Sequence, residues 1–571
     1  MERLLSLWIF DWRKLLAYSH RWLGMALCIL FVGWFISGIV MIYARMPGLA
    51  NEERLARAAV LDLSAVTLSP ADAAKQNGLR ADRVQVGMYG SRPVYRFGGR
   101  EQTIVFADTG EFFEGIDRNE AMVVARRYAP GYAGPIRHVE YLTEPDQWTL
   151  GSRDMLPMHR FALDDAADTQ LYVSEVTGDV ELRTSRSERF WGYLGPVTHW
   201  VYFTPFRKNT YLWGQFIIWS SLIGCAMCVT GIVWGIWRFS PRMQFRLKRM
   251  PSTSPYVGWM KWHHIAGLLF GVLALTWTYS GLLSMGPFNW FRAAPQSRAE
   301  REASTGGPLK LDRMTVESMR AAAAAIDPLF APRELETMQF RGEPFWTAYN
   351  APSEAEAAQW MNVGLLPRAA RPRLEQVYVS AVRPERGAIA TFPRDAMTEI
   401  AQAAMPGVTV QDAVWLQEYD GYYYDARGSR PLPVLRIRYA DANATWLYLD
   451  PTRGGVVQRS VKVTRLRRWL YQGLHSLDFP FLYFHRPLWD IVVIVLSIGG
   501  TVLSLTTMVP AWRRLRRHWR SVRTWRPATT AYSKRRPSTP LASSSIRCSS
   551  SWLATMSRFG SVRERPFSQR N

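Results

Sequence analysis

The chain has 571 residues, more than one hydrophobic core ordinarily holds, and a net charge of +23. Its mean hydropathy of -0.13 averages four apolar blocks with long polar stretches, a pattern that excludes a simple soluble globule. The cations sit beside the apolar blocks rather than on one continuous surface, so nucleic acid is not an expected partner and a lipid bilayer is.

In chain order, Arg3, Arg13 and Lys14 precede the first block, Gly24 to Tyr43. It is too long for the apolar stretch of a cleaved leader and has no A-x-A site, so an uncleaved anchor is expected. The segment 45–198 is alternating and turn-rich, with helices expected over Ser69 to Asn77 and Asn119 to Tyr128 and a strand over Gln170 to Val173. The second block runs from Leu212 to Trp237, and a short loop with Arg238, Arg242, Arg246, Lys248, Arg249 and Lys261 leads to the third, Ile265 to Met285. The segment 290–474 predicts helices over Met314 to Ile326 and Arg394 to Ala404. Strands follow over Val434 to Tyr439 and Thr445 to Leu449, closed by a turn at Asp450-Pro451 and Gly454-Gly455. The fourth block, Leu488 to Val509, is followed by Arg513, Arg514, Arg516, Arg517 and Arg520.

Short basic flanks mark the cytoplasmic side, which puts both termini and the central loop inside a bacterial inner membrane and the two long segments in the periplasm. The expected layout is 1–44 for the N-terminus and first span, 45–198 for a first periplasmic domain, and 199–238 for the approach to the second span and that span. A basic loop at 239–262, the third span at 263–289, a second periplasmic domain at 290–474, the fourth approach and span at 475–511 and a basic tail at 512–571 complete it. From about Arg526 the tail is rich in Ser, Arg, Thr and Pro and predicts disorder; a shifted reading frame replacing a cytoplasmic domain is the alternative. Cys28, Cys225 and Cys228 lie in apolar blocks and Cys548 in the tail, so neither exported segment forms a disulfide, and the lone C-x2-C of Cys225 and Cys228 reads as packing.

The first and third blocks superpose 243 residues apart: His20, Gly24, Trp34, Ser37 and Gly38 fall on His263, Gly267, Trp277, Ser280 and Gly281. A second alignment, 276 residues apart, carries Asp165, Thr169, Tyr172, His199, Phe203, Trp213, Ser221 and Gly224 onto Asp441, Thr445, Tyr448, His475, Phe479, Trp489, Ser497 and Gly500. The fold class expected is an α-helical membrane bundle of four transmembrane helices with two periplasmic α+β domains, built as a tandem parallel repeat about an axis along the membrane normal.

Four of nine histidines occupy repeat-equivalent positions. His20 and His263 stand at the cytoplasmic ends of the first and third spans, His199 and His475 at the periplasmic approaches to the second and fourth. Imidazoles facing each other across a four-helix bundle suit axial ligation of haem iron, and Gly24 and Gly267 leave room for a flat macrocycle. His264 is the alternative to His263. The competing reading is that histidines at helix ends serve interfacial packing. His138, His159, His485 and His518 read as structural. Trp34 and Trp277 read first as core, and Glu418-Tyr419-Asp420 with Asp425 as a solvated hairpin before a cation or siderophore site.

The H-R-W-L-G of residues 20–24, with the strand, turn and strand ending in W-L-Y-L-D-P-x-x-G at 446–454, resembles the PepSY-associated transmembrane family. That resemblance covers residues from about 10 to 520 and implies PepSY-like exported domains and an iron-regulated membrane protein, some relatives being ferric-siderophore reductases. The expected function is therefore a haem-containing electron carrier with two haem b groups, delivering electrons to ferric siderophores or another periplasmic acceptor. No dinucleotide fingerprint, Walker loop or zinc cluster is present, so quinol or a cytoplasmic reductase is the expected donor. A membrane-anchored PepSY protein that regulates periplasmic peptidases without haem is the alternative. Transport is a third reading, disfavoured because no span carries a charge at its centre.

Overall fold

A computed structural model describes residues 12–80, 82–98, 103–247, 250–353, 355–356, 374–425 and 430–524. Arg3, Lys248, Arg249, the tail beyond 524 with Cys548, and the side chains of His518 and Arg520 lie outside the described set. Four helices among the described residues are long and apolar enough to cross a bilayer: α1 (Trp12–Met41), α2 (Thr210–Trp237), α3 (Trp259–Ser284) and α4 (Leu488–Thr524). α2 and α4 contain their apolar blocks and α1 and α3 end one or two residues short of theirs, while α1 begins well before its block and α4 runs well past its own. Hydropathy marks only the part of a helix that suits lipid, whereas the flanking Trp, Lys and Arg are compatible with helix, and α4 continues through Pro510. α2 packs along both α1 and α3.

The first long segment contributes β1 (Val84–Tyr89), β2 (Arg92–Phe97) and β3 (Thr103–Phe106), then β4 (Ile136–Leu142), β5 (Met158–Leu163), β6 (Gln170–Ser174) and β7 (Val180–Thr184). The basic loop between α2 and α3 forms a small hairpin of β8 (Phe245–Leu247) and β9 (Met250–Ser252). The second long segment contributes β10 (Leu335–Phe340), β11 (Glu343–Tyr349), β12 (Gln376–Ser380), β13 (Val410–Leu416), β14 (Val434–Tyr439), β15 (Trp446–Asp450) and β16 (Gly455–Ser460). The helices Pro70–Gln76, Arg118–Tyr128, Val316–Ile326 and Arg394–Ala404 lie within a residue or two of their expected positions. Ser69, Asp117 and Thr315 cap three of them through their side chains.

β4-β5-β6-β7 and β13-β14-β15-β16 are four-stranded antiparallel meanders, one in each segment. The remaining sheet differs from the expectation of two separate domains. Its order is β12-β11-β10-β1-β2-β3, so three strands come from each segment, joined by an antiparallel pairing of β1 with β10 at Gln85↔Glu336 and Val86↔Leu335. Each three-stranded half would leave an apolar edge open, and pairing the two edges closes both. The core beneath is shared as well: Tyr95 and Val105 of one segment pack with Trp346, Leu335 and Met319 of the other. Polar groups secure the joint. Arg54 forms a two-pronged ion pair with Glu334, Arg83 donates to Glu336 at 2.6 Å, and the Val84 amide donates to Thr337 Oγ1 at 2.8 Å. Burial alone would raise the Glu334 carboxyl, but the bonds and charge of Arg54 outweigh it and hold the group below its ordinary value. At Glu336 and Glu181 burial prevails and both are raised.

Local features recur 276 residues apart. Cis peptides precede Pro157 and Pro433, and Asp165 and Asp441 bind the Thr169 and Thr445 hydroxyls. A register shift follows Tyr172 and Tyr448, and Gly178 and Gly454 take positive φ. In both places a Cβ on that glycine would strike an aromatic ring, Tyr89 or Phe392.

Candidate functional site

The polypeptide enters α2 and α4 by the same route. After β7 and β16 comes a seven-residue helix of about two turns, then a π-helical turn at Tyr193–Val197 and Trp469–Gly473, which shifts the phase of the following residues. His199 and His475 follow in three-residue helices that end on left-handed residues, Val201 and Leu477, with φ of 54° and 53°. A β-branched residue such as Val201 or a bulky one such as Leu477 in that region is held by its surroundings rather than by preference. The fixing contacts are again equivalent: the Trp213 indole N–H donates to the Trp200 carbonyl at 2.8 Å, and that of Trp489 to the Ser476 carbonyl at 2.9 Å.

These turns bring His199 and His475 together, with ring centroids 6.0 Å apart and planes at 70°. At the other end of the bundle His20 of α1 and His263 of α3 face each other at 6.1 Å and 31°. Ser37 and Ser280, which contact His199 and His475, lie 17 residues along α1 and α3 from His20 and His263, so the two levels are about 26 Å apart along the helices.

Hydrogen bonds define the tautomer at all four rings. His20 Nδ1 lies 3.0 Å from the Met227 carbonyl and His263 Nδ1 3.3 Å from that of Leu503; a carbonyl only accepts, so both nitrogens carry the proton. The Ser37 hydroxyl donates to the Trp34 carbonyl and that of Ser280 to Trp277. Their oxygens therefore accept from His199 Nδ1 and His475 Nδ1, each at 3.0 Å. Each ring is thus left with an Nε2 lone pair that meets no hydrogen-bond donor among the described residues. Histidines that bind a metal are commonly oriented in this way, through the opposite ring nitrogen.

The dimensions fit an iron between each pair. An imidazole nitrogen ligates a metal at about 2.0–2.1 Å, and adding about 1.2 Å from nitrogen to ring centre on each side gives a centroid separation of about 6.4–6.6 Å. The observed separations fall a few tenths of an ångström short. Small residues surround the pairs: a Cβ on Gly38 would lie 3.8 Å from His199 and one on Gly281 3.6 Å from His475, while one on Gly231 would overlap the ring of His20. Gly24 and Gly267 face Met227 and Leu503 at 3.9 and 3.8 Å by the same measure. Between the levels the interior is apolar, with Phe31, Phe35, Trp34 and Trp277 in one cluster. The indole N–H of Trp277 is buried there without an acceptor. Among the described residues no group of three or more His, Cys, Asp or Glu could hold a metal ion.

His264 is not equivalent to its neighbour. It is buried, and both nitrogens are engaged, Nδ1 with Ser254 Oγ at 2.8 Å and Nε2 with the Gly235 carbonyl at 2.9 Å. His138 and His159 lie together on β4 and β5. Asp420 of the acidic run accepts from the Tyr422 and Tyr423 amides, Arg436 and the Tyr448 hydroxyl. Asp146 binds Arg160 and Tyr172 likewise in the first segment, a pairing hidden from alignment because the two aspartates are displaced by two residues.

The PepSY-associated TM region family matches residues 17–363, more than half of the chain. The protein belongs to this family. No curated protein matches the chain. As a member of the PepSY-associated TM family it is a multi-pass membrane protein, with most of α1 and all of α2 and α3 inside the matched region and α4 beyond it.

Proposed function

We propose that this PepSY-associated protein holds two haem b groups in a tandem parallel repeat and conducts electrons across the bacterial inner membrane to ferric siderophores or similar periplasmic iron complexes. The observation that carries the reading is the pair of opposed histidine couples, with ring centroids 6.1 and 6.0 Å apart and each Nδ1 tethered. His20 and His263 hold the iron nearer the cytoplasm, and His199 with His475 the iron nearer the periplasm. Haem b, when bound, supplies a one-electron ferric/ferrous couple. The Met227 and Leu503 carbonyls and the Ser37 and Ser280 hydroxyls keep each lone pair aimed inward and raise its basicity. The Phe31, Phe35, Trp34 and Trp277 cluster excludes water between the levels. With both termini and the β8-β9 hairpin inside, a quinol gives up two electrons and two protons and reduces two external ferric complexes to the ferrous state; a cytoplasmic reductase could supply the electrons instead.

The test is the visible spectrum of the full-length protein purified from haem-replete cells. The expected result is two b-type haems per chain by pyridine haemochrome, falling to one in His20→Ala or His475→Ala and to none in the double variant, with His264→Ala unchanged. A colourless preparation would overturn the proposal and leave a membrane-anchored regulator of peptidases as the reading.

A further inference from the structure

Five arginines converge on a cavity of about 330 Å³ where the two long segments meet: Arg54 and Arg57 from the helix Asn51–Arg57, Arg96 from β2, Arg127 from the helix Arg118–Tyr128, and Arg333 just before β10. Three carboxylates line it against them. Arg54 is paired with Glu334, and Arg96 with Asp179 at 2.6 Å. The other three arginines meet no carboxylate among the described residues. Arg57 donates to the Tyr128 carbonyl and lies 4.4 Å over its ring, Arg333 donates to the Ala58 carbonyl, and Arg127 makes no hydrogen bond.

Arg127 occupies the last turn of its helix, where a cation is welcome for the helix dipole alone. Its guanidinium, however, reaches over the β1-β2 turn, 3.5 Å from where a Cβ on Gly90 would stand, so it bounds the cavity. Gly90 there has φ of 62°. One wall is apolar, formed by Val123, Val124 and Val180. A guanidinium fork matches carboxylate geometry, and an apolar wall favours an organic body over a free inorganic ion.

We infer that this cavity binds a small organic anion carrying two or more carboxylates, held by Arg57, Arg127 and Arg333. The site draws on both segments, so its occupant ties them together where β1 and β10 pair at only two positions. It is independent of haem ligation.

Citrate is the probe, titrated into the full-length protein in detergent at constant ionic strength, with binding read by calorimetry and thermal unfolding. The expected result is saturable binding that raises the unfolding temperature and weakens about tenfold in each of Arg127→Gln and Arg333→Gln. Arg127 is exposed, so its variant should unfold at the wild-type temperature without citrate, separating lost binding from lost folding. The inference is overturned if citrate does not saturate below about 10 mM, if both variants bind it as well as wild type, or if inorganic phosphate binds more tightly than citrate.

Discussion

A single missing methyl group decides whether one histidine can occupy its place. The Cβ of Gly231→Ala would overlap the His20 ring, so on the haem proposal this variant is expected to bind none at the His20–His263 level and to keep the group at the His199–His475 level, halving the haem content. Glu334 offers a test in the shared sheet. Its carboxyl is held below the ordinary value, so the stability it contributes is present above the unfolded carboxylate pKa of about 4.3 and is lost as pH falls through the lower folded value. Glu334→Gln is therefore expected to lower unfolding stability at pH 7 by on the order of 2–4 kcal/mol. The deficit should narrow below pH 4, measured by denaturant unfolding. The histidines were legible in the sequence because His is rare and recurs at equivalent sites. Their partners were less so. Ser37 and Ser280 stood in the repeated motif, but the Met227 and Leu503 carbonyls belong to the backbone and leave no mark in residue identity.

At the scale of elements, the approaches to α2 and α4 place histidines that no regular helix would place. The Trp489 indole closes one of these approaches on the Ser476 carbonyl. Trp489→Phe removes that donor at a cost of about 1 kcal/mol and is expected to diminish the His199–His475 haem selectively, read as a change in its spectrum or potential with the other level intact. The four long helices could be read from hydropathy because lipid demands one composition over about 20 residues. The meanders could be read in part from period-two patterning at Val434–Tyr439 and from the short apolar run at Trp446–Asp450. The sheet shared by β1 and β10 could not, since nothing near Gln85 specifies a partner at Glu336. The π-helical turns were also hidden, with Pro196 in one and Gln472 at the matching position of the other.

For the whole molecule, the topology proposed from basic flanks makes opposite predictions for the two sides of the bundle. Asp312→Cys, on an exposed turn of the second long segment, should react with a membrane-impermeant maleimide in spheroplasts, and Arg242→Cys, beside the β8-β9 hairpin, only after permeabilisation. The reverse result would invert the protein in the membrane. The shared sheet also has a consequence for synthesis. Gln85 meets Glu334 across 249 residues of chain, which a ribosome adding about 5–20 residues per second takes roughly 12–50 s to produce. Throughout that interval the β1 edge has no partner. A nascent chain arrested after α2 would present a bare, adhesive strand border until its second half emerges.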